Sequence, residues 1–455
     1  MIVMKFGGTS VKNSEAVDRV SGIIATRIDK NPIVVVSATG DTTDRLVDIL
    51  DLIDCNKKGA IDIVNDIEKK HQILIEEVVT DKDQQSLALG KVNAELSRLK
   101  DMVSAMEKLG DVSLRSRDSV LAIGERMSAP ILAGSLASRG INAVNVDPVE
   151  VIETDENFGM AKPFLNETET RCKNILVPLC KDQKIPVVGG FVGATSKGIV
   201  TTLGRGGSDL TASIIAKSVN AEALEFWKDV DGILTADPRL VKDAKLLSTI
   251  TFAEASELTF LGSGVLHPAS IQPAVEAGIP VTVRNSYKPE SEGTKILLKR
   301  LYESSVPANR AAASIAYKRN QALISIYSTR MIGASGFLRK VFEVFDRLNI
   351  SVDHIATSEV NITVTVEDQD LVKIIARELG EIATVQVTRN AAIISIVGEA
   401  LKTTAGVAAR VFSALTDINV LFITHSGAST NLSVVVEDEQ LNSAVLKLHE
   451  QLFNK

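Results

Sequence analysis

The chain has 455 residues, 45% of them hydrophobic and 24% charged, the balance of a soluble globular protein of two or three domains rather than a disordered or fibrous one. Its formal net charge is -7, and no Lys/Arg cluster is interleaved with aromatics, which argues against nucleic acid or an anionic membrane as a partner. Three cysteines, Cys55, Cys172 and Cys180, form neither a CxxC pair nor a disulfide framework; with no signal-like leader, the expected setting is the cytoplasm. The longest apolar runs, such as Ile33–Val36, are too short to span a bilayer.

Residues 1–300 alternate short β-branched runs with long amphipathic stretches, the pattern of an α/β domain with a mostly parallel sheet sandwiched by helices. Strands are expected at Ile2–Phe6, Pro32–Ser37, Ile185–Phe191, Ala223–Trp227 and Ile279–Val283. Between them Asp44–Asp118 carries little Gly or Pro and a helical period, so a helical excursion is expected there. A connector at 301–320 leads to two modules, 321–389 and 390–455, and the boundary leaves room for strand exchange between them.

The modules are an internal repeat. Ala322–Ile326 (ALISI) returns as Ala392–Ile396 (AIISI), Gly336 as Gly406, Asn349 as Asn419, and Val364, Val366, Glu367 and Asp368 as Val434, Val436, Glu437 and Asp438, all 70 residues later. A register kept without a gap does not suit two unrelated segments. Each copy reads strand, glycine loop, helix (GFLRKVFEVFDRLN in the first), strand, strand, helix, a βαββαβ order with helices on one face of an antiparallel sheet.

The chemistry gathers at loops. Lys5 stands where the first strand gives way to Gly7 and Gly8, and glycines let backbone approach an anion closely. Alone, a strand ending in two glycines is more often a tight turn. Three further clusters, SATGDTTD (Ser37–Asp44), GGFVG (Gly189–Gly193) and TTLGRGGSD (Thr201–Asp209), each follow a strand candidate, and in an open α/β sheet the loops at the strands' carboxyl ends share one crevice. No Walker A or kinase catalytic loop is present, and the five histidines show no metal-ligand spacing, so no metal site and no histidine base are expected.

With these loops, Gly124-Glu125-Arg126, WKDVDGILTADPR (Trp227–Arg239) and VLHP (Val265–Pro268), essentially the whole chain resembles the aspartokinases of the amino acid kinase superfamily, and the paired modules resemble the ACT modules of that family's lysine-sensitive class. The resemblance implies transfer of the ATP γ-phosphoryl group, with Mg²⁺, to the β-carboxylate of L-aspartate, the first step towards lysine, threonine and methionine. Carried over by position, it assigns Lys5, Arg205 and Asp209 to catalysis. It assigns Thr43, Glu125, Phe191 (through its backbone), Arg205, Ser208 and Asp209 to aspartate, and Lys5, Gly7, Gly8, Lys228, Asp229, Leu234 and Arg239 to the nucleotide. Asp209 has a second reading as a helix N-cap. Many relatives carry an ATP-contacting lysine where this chain has Gly264; Lys228 with Arg239 is the expected source of the missing charge.

For feedback, the resemblance places lysine at Met331, Gly336, Phe337, Leu338, Val352, Asp353, Ser358 and Glu359. In the second copy Asp353 becomes Ile423 and Glu359 becomes Ser429, so that copy is expected to serve subunit pairing, and the protein to be at least a homodimer. Two other readings remain: a kinase of the same fold acting on another amino acid, and an amino-acid sensor whose kinase site has decayed, the latter resting on Gly264.

Overall fold

The computed structural model describes residues 1–263, 266–298, 310–331, 335–367, 371–425 and 430–454. Gly264, Ser429 and 301–309 of the expected connector lie outside the described residues. The chain packs as two units, the first from Met1–Ile233, Ser248–Phe252 and the described part of 265–302. The second takes Leu234–Leu247 and the described parts of 253–264 and 303–455.

Among the described residues the first unit carries ten strands: β1 (Ile2–Phe6), β2 (Pro32–Val36), β3 (Ala143–Val146), β4 (Ile185–Gly189), β5 (Val192–Ala194), β6 (Val200–Thr202), β7 (Ala223–Lys228), β8 (Thr249–Thr251), β9 (Val281–Asn285) and β10 (Thr294–Leu297). Eight form one sheet of order β3-β4-β2-β1-β7-β9-β10-β8, and β5 pairs with β6 in a separate two-stranded sheet. Every pairing in the large sheet is parallel except β9 with β10. All five residues of β1 and of β2 are buried, which is why both read as unbroken apolar runs rather than alternating ones. β9 begins two residues later than the expected Ile279.

The expected excursion is α2 (Thr42–Asp54), α3 (Ala60–Val78), α4 (Lys82–Leu109) and α5 (Leu114–Leu121), after α1 (Ser14–Ala25) and before α6 (Ile123–Ser138). Ala88, Val92, Leu96, Leu99, Val103 and Met106 give α4 one buried stripe at helical spacing. Taken as one stretch, Leu114–Ser138 is long and apolar enough to cross a membrane, contrary to the reading of short apolar runs alone. Most of it is buried inside the protein, so it is a core helix here. The short α7 (Pro148–Val151), α8 (Leu165–Lys181) and α9 (Gly207–Ser218) follow.

The second unit holds β11 (Ser314–Tyr327), β12 (His354–Thr357), β13 (Asn361–Val366), β14 (Thr384–Val397), β15 (Phe422–His425) and β16 (Asn431–Glu437) in the order β12-β13-β11-β14-β16-β15. The two long strands are shared. The second half of β11 pairs with β13 and carries the first repeat, while Ser314–Lys318 pairs with Val397–Ile393 of the second. The first half of β14, Thr384–Thr388, returns against Tyr327–Leu323 of the first. The first repeat therefore closes its sheet with its own last strand, whereas the second completes its sheet with Ser314–Lys318, which precedes the whole first repeat in sequence. Part of the stretch expected as a connector, from Ser314, is strand for this reason.

The register breaks beside Asn320 and Asn390, both with φ of 54°, a left-handed conformation that Asn tolerates better than most residues. They too are 70 residues apart, so the repeat extends to the backbone. The segment Leu234–Leu247 is not, as the expected 1–300 boundary implies, part of the first unit. The Ile315 N–H donates to the Thr235 carbonyl at 2.9 Å, the Ser314 hydroxyl to the Leu234 carbonyl at 2.7 Å, and Ala236 and Val241 sit in the second repeat's core.

A fragment spanning 310–455 is expected to unfold cooperatively by circular dichroism. One beginning at residue 390 lacks the Ser314–Lys318 strand and is expected to show no cooperative transition. In the full chain, Ile394→Ala, at a fully buried site, is expected to lower the urea-unfolding free energy of this unit by about 2–5 kcal/mol.

Candidate active site

Three strand ends and one helix start converge at the carboxyl edge of the large sheet. Backbone bonds zip the loops together: the Ser37 N–H donates to the Phe6 carbonyl at 3.1 Å, Gly40 N–H to Gly8 carbonyl at 3.1 Å, and Gly190 N–H to Val36 carbonyl at 2.8 Å. A side chain at Gly8 would put its Cβ 2.6 Å from the Ala38 carbonyl oxygen, and one at Gly190 would lie 2.6 Å from Ser208 Cβ. The glycines are required by close approach of loop to loop and of loop to α9.

Lys5, the fourth residue of β1, is 5% exposed, and its ammonium lies 2.6 Å from Asp209 Oδ1. Lys228, the last residue of β7, reaches the other oxygen at 3.2 Å. Burial alone would raise the Asp209 carboxyl, but the two ammonium groups outweigh it and hold it below the usual carboxylate range. Burial likewise lowers the Lys228 ammonium, only partly opposed by Asp209. The N-cap of α9 is Gly206 (φ 74°) without a side-chain bond, so Asp209 does not fill the capping role considered for it. It occupies the first turn, where the helix dipole favours a carboxylate.

Glu125 in α6 is 3% exposed, and its Oε2 has no hydrogen-bond partner. Burial pushes its carboxyl up to about 8, partly opposed by the Ala38 N–H and the charge of Lys5. Phe191 adopts φ of 65°, an uncommon conformation for a bulky side chain and one that clusters at functional sites. Its N–H donates to Thr211 Oγ1 at 3.0 Å, and its carbonyl accepts from Leu203 N–H at 2.9 Å. One carbonyl lone pair remains for a ligand. Arg205 is exposed and makes no ion pair among the described residues.

Lys5, Thr43, Glu125, Phe191, Arg205, Ser208 and Asp209 all line one cavity of about 490 Å³, so the residues expected to hold aspartate are brought together. Ser37, Arg117, Asp118, Leu121 and Thr202 line it too. Ser37 and Thr202 belong to the loop motifs already singled out, whereas Arg117, Asp118 and Leu121 lie in α5, which carried no motif. Lys228 reaches the cavity wall through Asp209; Gly7 and Gly8 lie directly beyond Lys5; Asp229 is exposed next to Lys228. Leu234 and Arg239 belong to the second unit. Arg239 is turned to Asp237, which it meets through Nε at 3.0 Å and Nη2 at 2.6 Å.

The amino acid kinase family profile matches residues 1–285, and the ACT domain profile matches 324–376 and 394–452. Aspartokinase 1, chloroplastic, of Arabidopsis thaliana is 35% identical over 99% of this chain and 80% of its own length. The chain belongs to the aspartokinases. Lysine-sensitive aspartokinase 3 of Escherichia coli is 32% identical over 100% of this chain and 99% of its own. The solved structure of E. coli aspartokinase III in complex with aspartate and ADP superposes with a TM-score of 0.82, covering 100% of each chain at 32% identity. The same enzyme in complex with lysine and aspartate gives 0.83 over 100% of this chain and 99% of its own.

The residues expected to hold an effector all belong to the second unit. Gly336 (φ 84°) caps the helix Phe337–Arg347, with Phe337 and Leu338 in its first turn, and Met331 and Val352 pack against the first module's core. Asp353 is buried and paired with Lys318 at 2.9 Å, whose ammonium also meets Glu367 at 2.7 Å. Ser358 accepts the Asn361 N–H at 3.2 Å on its hydroxyl, and Glu359 is exposed. The second unit also encloses a cavity of about 590 Å³, to which Asp353 alone of these eight residues contributes. Among the histidines, His71 donates to the Ile67 carbonyl, His354 meets Ser433, His425 meets the Asn431 carbonyl, and His449 meets Thr235 and stacks on Phe453.

Glu125 makes folding proton-linked. Its folded value near 8 lies above the ordinary 4.5, so between those pH values the folded chain holds a proton that the unfolded chain releases, and stability falls as pH rises through that window. Glu125→Gln removes the titration. Denaturation series at pH 5 and pH 8 are expected to show wild type losing stability relative to Glu125→Gln; a parallel response of the two proteins would contradict the buried, unpaired carboxyl.

Proposed function

We propose that the chain transfers the γ-phosphoryl group of ATP to the β-carboxylate of L-aspartate, giving 4-phospho-L-aspartate, under feedback control by lysine. The observation that carries this reading is the cluster of Lys5 and Lys228 on one carboxylate, Asp209, beside an unpaired Arg205 in one cavity. A carboxylate oxygen attacks the γ-phosphorus, the bond from that phosphorus to the β–γ bridging oxygen breaks, and ADP leaves. The nucleophile is ionised at pH 7 and needs no base. The work is to bring two anions together and stabilise the transferring group by fixed positive charge.

Lys5 would meet the transferring phosphoryl group, with Gly7 and Gly8 beside its path. Arg205 offers a planar fork for a carboxylate of aspartate. The unsatisfied Glu125 Oε2, with Asp209 and the free lone pair of Phe191, suits the ammonium; Thr43 and Ser208 supply hydroxyls. Lys228 and Asp229 would serve the nucleotide, with Leu234 and Arg239 proposed alongside them from the family pattern. Among the described residues no group of three or more His, Cys, Asp or Glu could cage a metal ion. Mg²⁺ would ride on the ATP phosphates, as it commonly does in kinases, neutralising their charge.

The reaction would supply lysine, threonine and methionine biosynthesis in the cytoplasm. Relatives named lysine-sensitive or solved with lysine support lysine as effector, with Asp353 and Glu359 facing its amino groups and Met331, Gly336, Phe337, Leu338, Val352 and Ser358 shaping the site. Lys318 holds Asp353 in this structure, so an effector ammonium would share or take over that contact. The outermost strands of the six-stranded sheet, β12 and β15, expose Ile355 and Ile423 at 42% and 47%, which supports pairing with a second copy.

The test is trapping of acyl phosphate as hydroxamate with ATP, Mg²⁺ and either aspartate or glutamate, with lysine titrated in. Product with aspartate is expected; none with any amino acid would favour a sensor over a kinase. Lys5→Met is expected to lower kcat by about 10²–10³. Lys228→Ala is expected to raise KM for ATP, and an unchanged value would remove Lys228 as the replacement for the lysine absent at Gly264. Asp353→Ala is expected to keep activity and lose inhibition by lysine.

A further inference from the structure

Asp118 has no place in the proposed transfer, yet it is the most completely buried carboxylate on the cavity wall, at 0% exposure. It forms no ion pair with any described lysine or arginine. Its partners are neutral donors from two distant loops. Oδ2 accepts the Gly159 N–H at 3.0 Å and the Thr202 N–H at 2.9 Å, and Oδ1 accepts the Thr202 hydroxyl at 2.7 Å. Taking a carboxylate out of water without a counter-ion is costly, and three hydrogen bonds offset that cost only while all are made. Such a group persists where it fixes geometry.

The segments it joins lead directly to Arg205. The Ala161 N–H donates to the Thr202 carbonyl at 2.9 Å, so the turn at 159–161 and the end of β6 are held together on both sides of Thr202. Two residues further, Gly204 presses on that turn: a Cβ there would lie 3.1 Å from the Gly159 carbonyl oxygen and 3.4 Å from Met160 Cγ. Arg205 is the next residue. Its guanidinium has no partner among the described residues, so its backbone alone aims it.

We propose that Asp118 is a positioning residue for Arg205, setting the affinity for the substrate carboxylate by clamping the 159–161 turn and the end of β6. This rests on the reading that Arg205 holds aspartate. It predicts a split between kinetic constants, because the clamp is remote from Lys5 and Lys228. Asp118→Ala leaves three donors unanswered and is expected to raise KM for aspartate about tenfold or more, as small misplacements of a binding group do, with KM for ATP changed less than twofold. Asp118→Asn keeps the shape, and its amide oxygen can take both N–H groups; it is expected to recover most of the aspartate affinity.

Steady-state kinetics on these variants, with ADP binding measured by calorimetry as a check on folding, decide the matter. Arg205→Lys is run beside them. If Arg205→Lys leaves KM for aspartate unchanged, the reading of Arg205 fails. If it raises KM while a folded, ADP-binding Asp118→Ala does not, the role of Asp118 fails. An equal rise in both KM values for Asp118→Ala also overturns it, since a general loss of structure would do that. Should Asp118→Ala not fold, Thr202→Val removes only the hydroxyl contact; a rise in KM for aspartate alone supports the clamp, and no change refutes it.

Discussion

The pairing of Asp209 with both Lys5 and Lys228 is the constraint on which the catalytic unit depends. Two ammonium groups from adjacent parallel strands would repel at such range in a partly dry site, and a buried carboxylate without them would be expensive. Together they leave a single net positive charge at the mouth of the sheet. The parallel order of β1, β7 and their neighbours places the carboxyl ends on one edge, and α9 delivers Asp209 from its first turn. An aspartokinase needs this arrangement because its two substrates are both anions.

The remaining site follows from how closely the loops approach that charge. Gly8 against Ala38 and Gly190 against Ser208 admit no side chain, so the loops after β1, β2 and β4 and the start of α9 are pressed together around the cavity. Glu125 lies at the buried end, where only a cation or a proton relieves it.

Much of this was legible in the chain. The apolar runs of β1 and β2 marked central parallel strands, and the Lys5, Glu125 and GRGGSD motifs marked the residues that line one cavity. Asp118 was not legible, because its partners lie 41 and 84 residues away and no local pattern announces a neutral clamp. The association of Leu234–Leu247 with the second unit was hidden for the same reason: it depends on Ser314, Ile315 and His449, all distant in sequence. The 70-residue repeat was visible, whereas the pairing of its long strands was not, since periodicity reports which residues alternate and not which strand they meet.

That pairing makes the first ACT module an insertion within the second. Ser314–Lys318 is synthesised before the whole first module but finds its partner, Ile393–Val397, only after that module is complete. On the ribosome the first module has all its strands available once β14 has emerged, while the second must wait for β16. The order of assembly is thereby written into the topology: the first module can close while its repeat still lacks a strand.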